Sequence, residues 1–122
     1  MISRKTVLEL ALALPNAASD QPFEGDFDST VLRHGDTGKW FGLILKGPRR
    51  RVGLTGEGQA ALLNLKCDPL TSYGLMQEYP DILPAYHMNK THWISVRLEG
   101  SLPEEVLQML LEMSYQLTKG KR

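Results

Sequence analysis

The chain has 122 residues, 42% of them hydrophobic and 23% charged, the balance of a single globular domain spanning 1–122 rather than of a disordered segment. A domain of this length buries roughly two-thirds of its unfolded surface, enough for a core without disulfides or a structural metal. Lys and Arg number 14, as do Asp and Glu, so the formal net charge of +0 excludes a uniformly polycationic nucleic-acid coat.

The N-terminal apolar stretch from Val7 to Leu14 is interrupted by Glu9, which is unlike a signal peptide, and no apolar run approaches the ~20 residues needed to cross a bilayer. The lone cysteine, Cys67, has no intrachain disulfide partner and fits a reducing compartment. A cytoplasmic protein without membrane association is therefore expected.

In chain order, Ser3 is placed to cap a first helix running to about Leu14, with Val7, Leu10, Ala11 and Leu14 on its buried stripe and Leu8 and Leu12 widening it. Residues 16–29 read as an irregular acidic segment, followed by a strand at Thr30 to Arg33 and a turn at His34 to Gly38. Lys39 to Lys46 is the clearest strand: Trp40, Phe41, Leu43, Ile44 and Leu45 leave almost no polar face, as in a central strand covered on both sides. Gly47-Pro48 is expected to break it, before Arg49-Arg50-Arg51 and a glycine-rich connection.

Residues 60–66 form the next strand, with Ala61, Leu63 and Leu65 toward the core and Leu62, Asn64 and Lys66 on the other face. Asp68-Pro69 starts a short second helix that ends by Pro80. A last strand, Trp93 to Leu98, turns Ile94, Val96 and Leu98 inward and Trp93, Ser95 and Arg97 outward. Ser101-x-x-Glu104 has the form of a capping box for a final helix ending near Gly120, with Val106, Leu107, Leu110, Met113 and Leu117 as its stripe and a basic tail. This order describes an α+β domain of two layers, helices packed on an antiparallel sheet.

Chemistry is harder to find. His87, His92 and Cys67 match no zinc-binding spacing, so neither a metal nor another cofactor is expected. Cys67 precedes a helix start, but the Asp68 carboxylate beside it opposes thiolate formation, so a buried, inert thiol is expected. Gly56-Glu57-Gly58 lacks the continuation of a phosphate loop, and no Gly-x-Ser-x-Gly elbow is present, so no catalytic residues are assigned.

Charge is unevenly spread. From Arg33 to Arg51 there are six bases and one acid, whereas Asp20, Glu24, Asp26 and Asp28 are all acidic. Arg49, Arg50 and Arg51 form a basic turn that either touches phosphates, is simply solvated, or pairs with the acidic segment. Asn64, Lys66, Trp93, Ser95 and Arg97 fall on the non-core face of their strands, which either forms an open surface able to stack a base and neutralise an anion or is covered by a loop or a second subunit.

Asn64-Leu65-Lys66-Cys67-Asp68-Pro69, the run from Pro84 to Trp93 containing Tyr86-His87-Met88-Asn89-Lys90-Thr91-His92-Trp93, and Glu112-Met113-Ser114-Tyr115 together resemble the MmcQ/YjbR family. The resemblance spans essentially the whole chain, and Trp40-Phe41 with Lys46-Gly47-Pro48 resembles a subgroup of that family. It implies the order helix, three strands, helix, two strands, helix, with the additional strand near Ile82 to Tyr86. It also implies a DNA-binding module of double-wing-like fold, with no catalytic residues to carry over.

Two functions are thus set against each other. The first is a non-enzymatic module that binds DNA or other nucleic acid weakly, through the basic turn and an open face with Lys66, Lys90, Trp93 and Arg97. The alternative is a protein-interaction or small-ligand-binding domain with a pocket lined by Tyr86 to Trp93, where Tyr86, His87, Asn89, His92 and Trp93 would converge.

Overall fold

A computed structural model describes residues 2–23, 25 and 29–119. Its strands are β1 (Ala17–Asp20), β2 (Thr30–His34), β3 (Trp40–Pro48), β4 (Gln59–Lys66), β5 (Ile82–Pro84) and β6 (Trp93–Arg97). They form one sheet in the order β1-β2-β3-β4-β6-β5, and every neighbouring pair is antiparallel. The helices are α1 (Arg4–Leu12), α2 (Pro69–Glu78) and α3 (Glu104–Thr118). The α+β architecture and the element order are those expected, with one more edge strand.

That strand, β1, lies in the segment read as irregular. Its four residues alternate too weakly to announce a strand, being exposed at Ala18, Ser19 and Asp20. Pairing with β2 makes it, and Asp20 closes the pair by accepting from Arg33 Nε at 2.8 Å. Glu24, Asp26 and Asp28, and the basic tail after Lys119, lie outside the described residues.

α1 and α3 cover one face of the sheet. Val7, Ala11, Leu107, Leu110 and Leu111 pack there on Leu32, Phe41, Ile44, Leu63, Leu65, Ile94 and Val96. The other face is apolar too: Val31, Leu43, Leu45 and Leu62 lie beneath Val52, with Leu54, Leu83, Tyr86 and Met88 packed around them. The continuous apolar run of β3 has this double cover as its cause. Gly47-Pro48 does not break the strand but completes it, paired with Ala60 and Gln59, and a single 3-10 turn, Arg49–Val52, follows.

A bulge decides which way β3 presents its aromatics. Leu32 pairs with Gly42 but Arg33 pairs with Trp40, so Phe41 is the extra residue. It turns into the helix-side core, while Trp40 joins Leu43 and Leu45 on the opposite face.

The ends of the helices follow local chemistry, with one correction. Ser3 caps α1 as expected, although the helix stops at Leu12 and leaves Leu12 exposed. Asp68 caps α2, accepting from Thr71 N–H at 3.0 Å and from Thr71 Oγ1 at 2.7 Å. These hydrogen bonds hold its carboxyl below the usual range. Ser101, by contrast, does not cap α3. The helix starts after Pro103, and the Ser101 N–H and hydroxyl both bond Asp81 Oδ2. The Asp81 carboxylate gives the Ser101 N–H and hydroxyl a charged acceptor, whereas the helix N-terminus offers only N–H donors. The buried stripe of α3 is also rotated toward Leu111, Ser114, Tyr115 and Thr118, which leaves Leu117 exposed.

His34 closes β2 and also opens the expected turn, its carbonyl accepting from the Gly38 N–H at 2.8 Å. Its ring is buried against Phe41 and Tyr115, with centroids 5.4 and 4.5 Å away, and Nε2 lies 2.8 Å from Thr118 Oγ1. Thr118 donates its own hydrogen to the Ser114 carbonyl, so it accepts from the imidazole. Burial is the main cause that lowers the His34 pKa; Asp36 raises it, and Lys119 and Lys39 lower it further. Below a pH of about 6.5 the unfolded chain therefore takes up this proton more readily than the folded one. Stability is expected to be complete above that pH and to fall as pH drops through the lower folded value. Urea midpoints measured against pH check this, and the loss should shrink in His34→Gln.

Among the described residues, no helix is long and apolar enough to cross a membrane.

Candidate functional site

The structure divides the candidate residues between three places. The first is a groove at the end of the sheet where β3 begins, β4 ends and β6 begins. Lys66 and Trp93 are cross-strand partners there, on the face the period-two pattern assigned to them. They line a space of ≈ 730 Å³ with Lys39, Trp40, Leu117, Thr118 and Lys119. Three lysines and two indoles thus surround one groove, with no carboxylate among its lining residues. Such a site attracts anions and offers π-faces to flat groups.

Lys39, Trp40 and Lys119 were not legible as site residues. Trp40 reaches the groove because of the bulge at Phe41, and Lys119 because α3 ends beside the start of β3. Trp40 is held from two sides: Phe23 meets it edge-on at 5.9 Å, and the Arg33 guanidinium carbon stands 5.7 Å from its ring centroid. Trp93 is half-buried and, among the described residues, carries no such ring or cation contact.

The second place is a cleft on the sheet face away from α1 and α3. Arg51, Val52 and Gly53 line it from the 3-10 turn, and Leu83, Pro84, Ala85, Tyr86 and Lys90 from β5 and the loop after it; its volume is ≈ 470 Å³. The basic turn borders this cleft. Arg50 and Arg51 are exposed, whereas Arg49 is half-buried and its Nε donates to the Thr55 carbonyl at 2.8 Å.

The third place is the interior, and it corrects the expectation of an open sheet face. Asn64 and Ser95 are buried at 0% exposure. Ser95 Oγ donates to Asn64 Oδ1 at 2.5 Å and accepts from Tyr86 N–H at 2.8 Å, while Asn64 Nδ2 donates to the Tyr86 carbonyl at 2.8 Å. Arg97 is consumed as well. Its Nε donates to Asp81 Oδ1 at 3.0 Å, Nη1 to the Val52 carbonyl at 2.7 Å and Nη2 to the Pro80 carbonyl at 2.5 Å. These polar residues face inward because the returning loops lie over them and supply backbone partners.

The Tyr86–Trp93 segment does not converge on one pocket. Tyr86 and Lys90 belong to the cleft, and Trp93 to the groove. Asn89 organises the loop itself, accepting at Oδ1 from the N–H groups of Thr91 and His92 at 2.8 and 3.1 Å. His87 is exposed in the left-handed backbone region at φ 64, with its ring 3.9 Å from that of Tyr86. His92 is exposed, and its carbonyl accepts from the Cys67 N–H at 2.9 Å.

Cys67 is buried, and burial followed by the Asp68 charge pushes its thiol up to about 11. Such a thiol holds its proton at neutral pH and is a poor nucleophile. Among the described residues, no three His, Cys, Asp or Glu side chains are grouped so as to hold a metal ion.

Comparison with known proteins agrees with this geometry. The chain is 39% identical over 119 residues to the Bacillus subtilis protein YyaQ, covering 98% of this chain and 100% of that one. A crystal structure of a Pseudomonas syringae protein superposes with a TM-score of 0.88 at 36% identity, over 97% of this chain and 100% of the other. A Deinococcus radiodurans protein of known structure matches with a TM-score of 0.73 at 29% identity, over 96% and 78% of the two chains. The model of the YjbR family matches residues 12–117, a span that holds the bulged strand, the cleft and the groove's lining except Thr118 and Lys119: the chain belongs to the YjbR family.

Proposed function

We propose that this protein is a non-enzymatic nucleic-acid-binding module of the cytoplasm, and that single strands enter the groove of Lys39, Trp40, Lys66, Trp93 and Lys119. The observation that supports this reading is the meeting of two indoles and three ammonium groups in one groove without a carboxylate in its lining. An unstacked base can lie on the half-buried Trp93 ring while the lysines track the phosphates. Bases inside a duplex do not offer their faces, so the groove favours single strands over double strands.

The basic turn supplies a second phosphate contact. It lies at the far end of β3, roughly 25 Å away at ~3.3 Å per residue, so only a strand long enough to span the sheet meets both. Arg49 is engaged with Thr55, which leaves Arg50 and Arg51 as the outward cations of that turn.

Anisotropy of a labelled oligothymidylate across a salt series tests the reading. Each lysine that neutralises a phosphate contributes a slope of about −0.7 in log affinity against log salt. Replacing Arg50 and Arg51 by Gln should make the slope shallower for long strands only, and to a similar extent for unrelated sequences. If the wild-type protein leaves the anisotropy of the oligonucleotide unchanged at low salt, the reading fails.

A further inference from the structure

We propose that the cleft between the 3-10 turn and the β5–β6 loop is a separate binding site for a small organic anion with an apolar body, such as an aromatic monocarboxylate. Its floor and sides are Val52, Leu83, Pro84, Ala85 and the Tyr86 ring, and Arg51 and Lys90 contribute one cation from each bordering segment. No Asp or Glu is among its lining residues. A volume of ≈ 470 Å³ falls in the range of small-molecule sites, which pair a mainly apolar lining with a few polar groups.

The walls of the cleft are fixed by the buried polar residues of the sheet. Arg97 holds the Val52 carbonyl on one side and the Pro80 carbonyl at the entry to β5. Asn64 and Ser95 hold the Tyr86 backbone through its carbonyl and its N–H. The Tyr86 ring is seated on Gly47, where a Cβ would come within 2.9 Å of it. A sheet face that needed only a cover would be cheaper to fill with apolar side chains. Hydrogen-bonded polar groups instead set the spacing of the two walls, and pre-organisation of that kind favours ligand binding.

The ligand class follows from the lining. The guanidinium of Arg51 presents a planar fork suited to a carboxylate, Lys90 adds a second positive charge, and the apolar floor favours a flat hydrocarbon body. This site is distinct from the indole–lysine groove, with which it shares no lining residue.

Titration of the protein with 2-naphthoate, followed by amide NMR, tests the proposal. The expected result is a saturable shift centred on the Val52, Gly53, Leu83 and Ala85 amides. The neutral 2-naphthamide should bind roughly tenfold more weakly or worse, and Arg51→Gln or Lys90→Gln should each weaken naphthoate to a similar degree. Both positions are exposed, so these variants keep the fold. Acetate and inorganic phosphate, which lack the apolar body, should leave the same amides unmoved. Equal binding of naphthamide, an unchanged affinity in both variants, or the absence of a saturable shift at millimolar naphthoate would overturn the proposal. Displacement of naphthoate by a short oligothymidylate would overturn it too, by making the cleft part of the nucleic-acid path.

Discussion

Asp81→Ala is expected to cost about 3 kcal/mol or more of folding stability, the usual consequence of removing one partner from a buried ion pair. The Asp81 carboxylate accepts from Arg97 Nε at 3.0 Å and from the Ser101 N–H at 2.7 Å. Both side chains of the ion pair are only 12% exposed, so water replaces the lost carboxylate at Arg97 poorly. Gly100 packs closely on Asp81, since a Cβ there would run into the carboxylate. Asp81→Asn should recover part of the loss, because the amide oxygen still accepts while the charge is gone. Urea denaturation monitored by Trp fluorescence measures both. An Asp81→Ala midpoint equal to that of the wild type would show that Arg97 and its carbonyl partners hold the segment without the carboxylate.

Trp93→Ala is expected to weaken single-stranded binding by ~1–3 kcal/mol while leaving its salt slope nearly unchanged, because stacking releases no counterions. Lys66→Gln should do the reverse, reducing the slope by about 0.7 with a smaller loss at high salt. Trp40→Ala should fall between the two in its own way: the ring is already engaged by Phe23 and Arg33, so its loss disturbs the wall of the groove as well as any stacking. Thermal unfolding of each variant separates misfolding from lost contact. The pair of opposed responses, one in affinity and one in slope, is the signature of a groove that stacks and neutralises together. Equal effects of Trp93→Ala and Lys66→Gln on the slope would mean that the indole only supports the lysine.

Much of this molecule can be read from residue spacing. β3 shows its double burial in the unbroken run from Trp40 to Leu45, because a strand covered on both faces has no need of polar alternation. The start of α2 is announced by Asp68-Pro69, since the cap and the fixed proline backbone act within one turn. Lys66 and Trp93 were placed on a common face by a period of two, and their pairing confirms that placement. The YjbR motifs identify the family for the same reason, being contiguous in the chain.

What the spacing could not carry is whatever depends on a distant segment. Ser101-x-x-Glu104 has the letters of a capping box, yet Asp81, 20 residues away, takes the serine. Asn64, Ser95 and Arg97 occupy outward positions of their strands, and alternation alone makes them a surface. Whether an outward face meets solvent depends on the loops that return over it, and here they bring the Tyr86, Val52 and Pro80 carbonyls as partners. The bulge at Phe41 is equally invisible locally, because an extra residue shows only against the partner strand. Sequence by itself therefore determined the family, the order of elements apart from β1, and the common face of Lys66 and Trp93, all products of near-neighbour geometry. The tertiary structure decided which polar residues are scaffold, which cations stay exposed, and that the candidate residues divide between a groove and a separate cleft, since burial and hydrogen-bond partners are set by segments far apart in the chain.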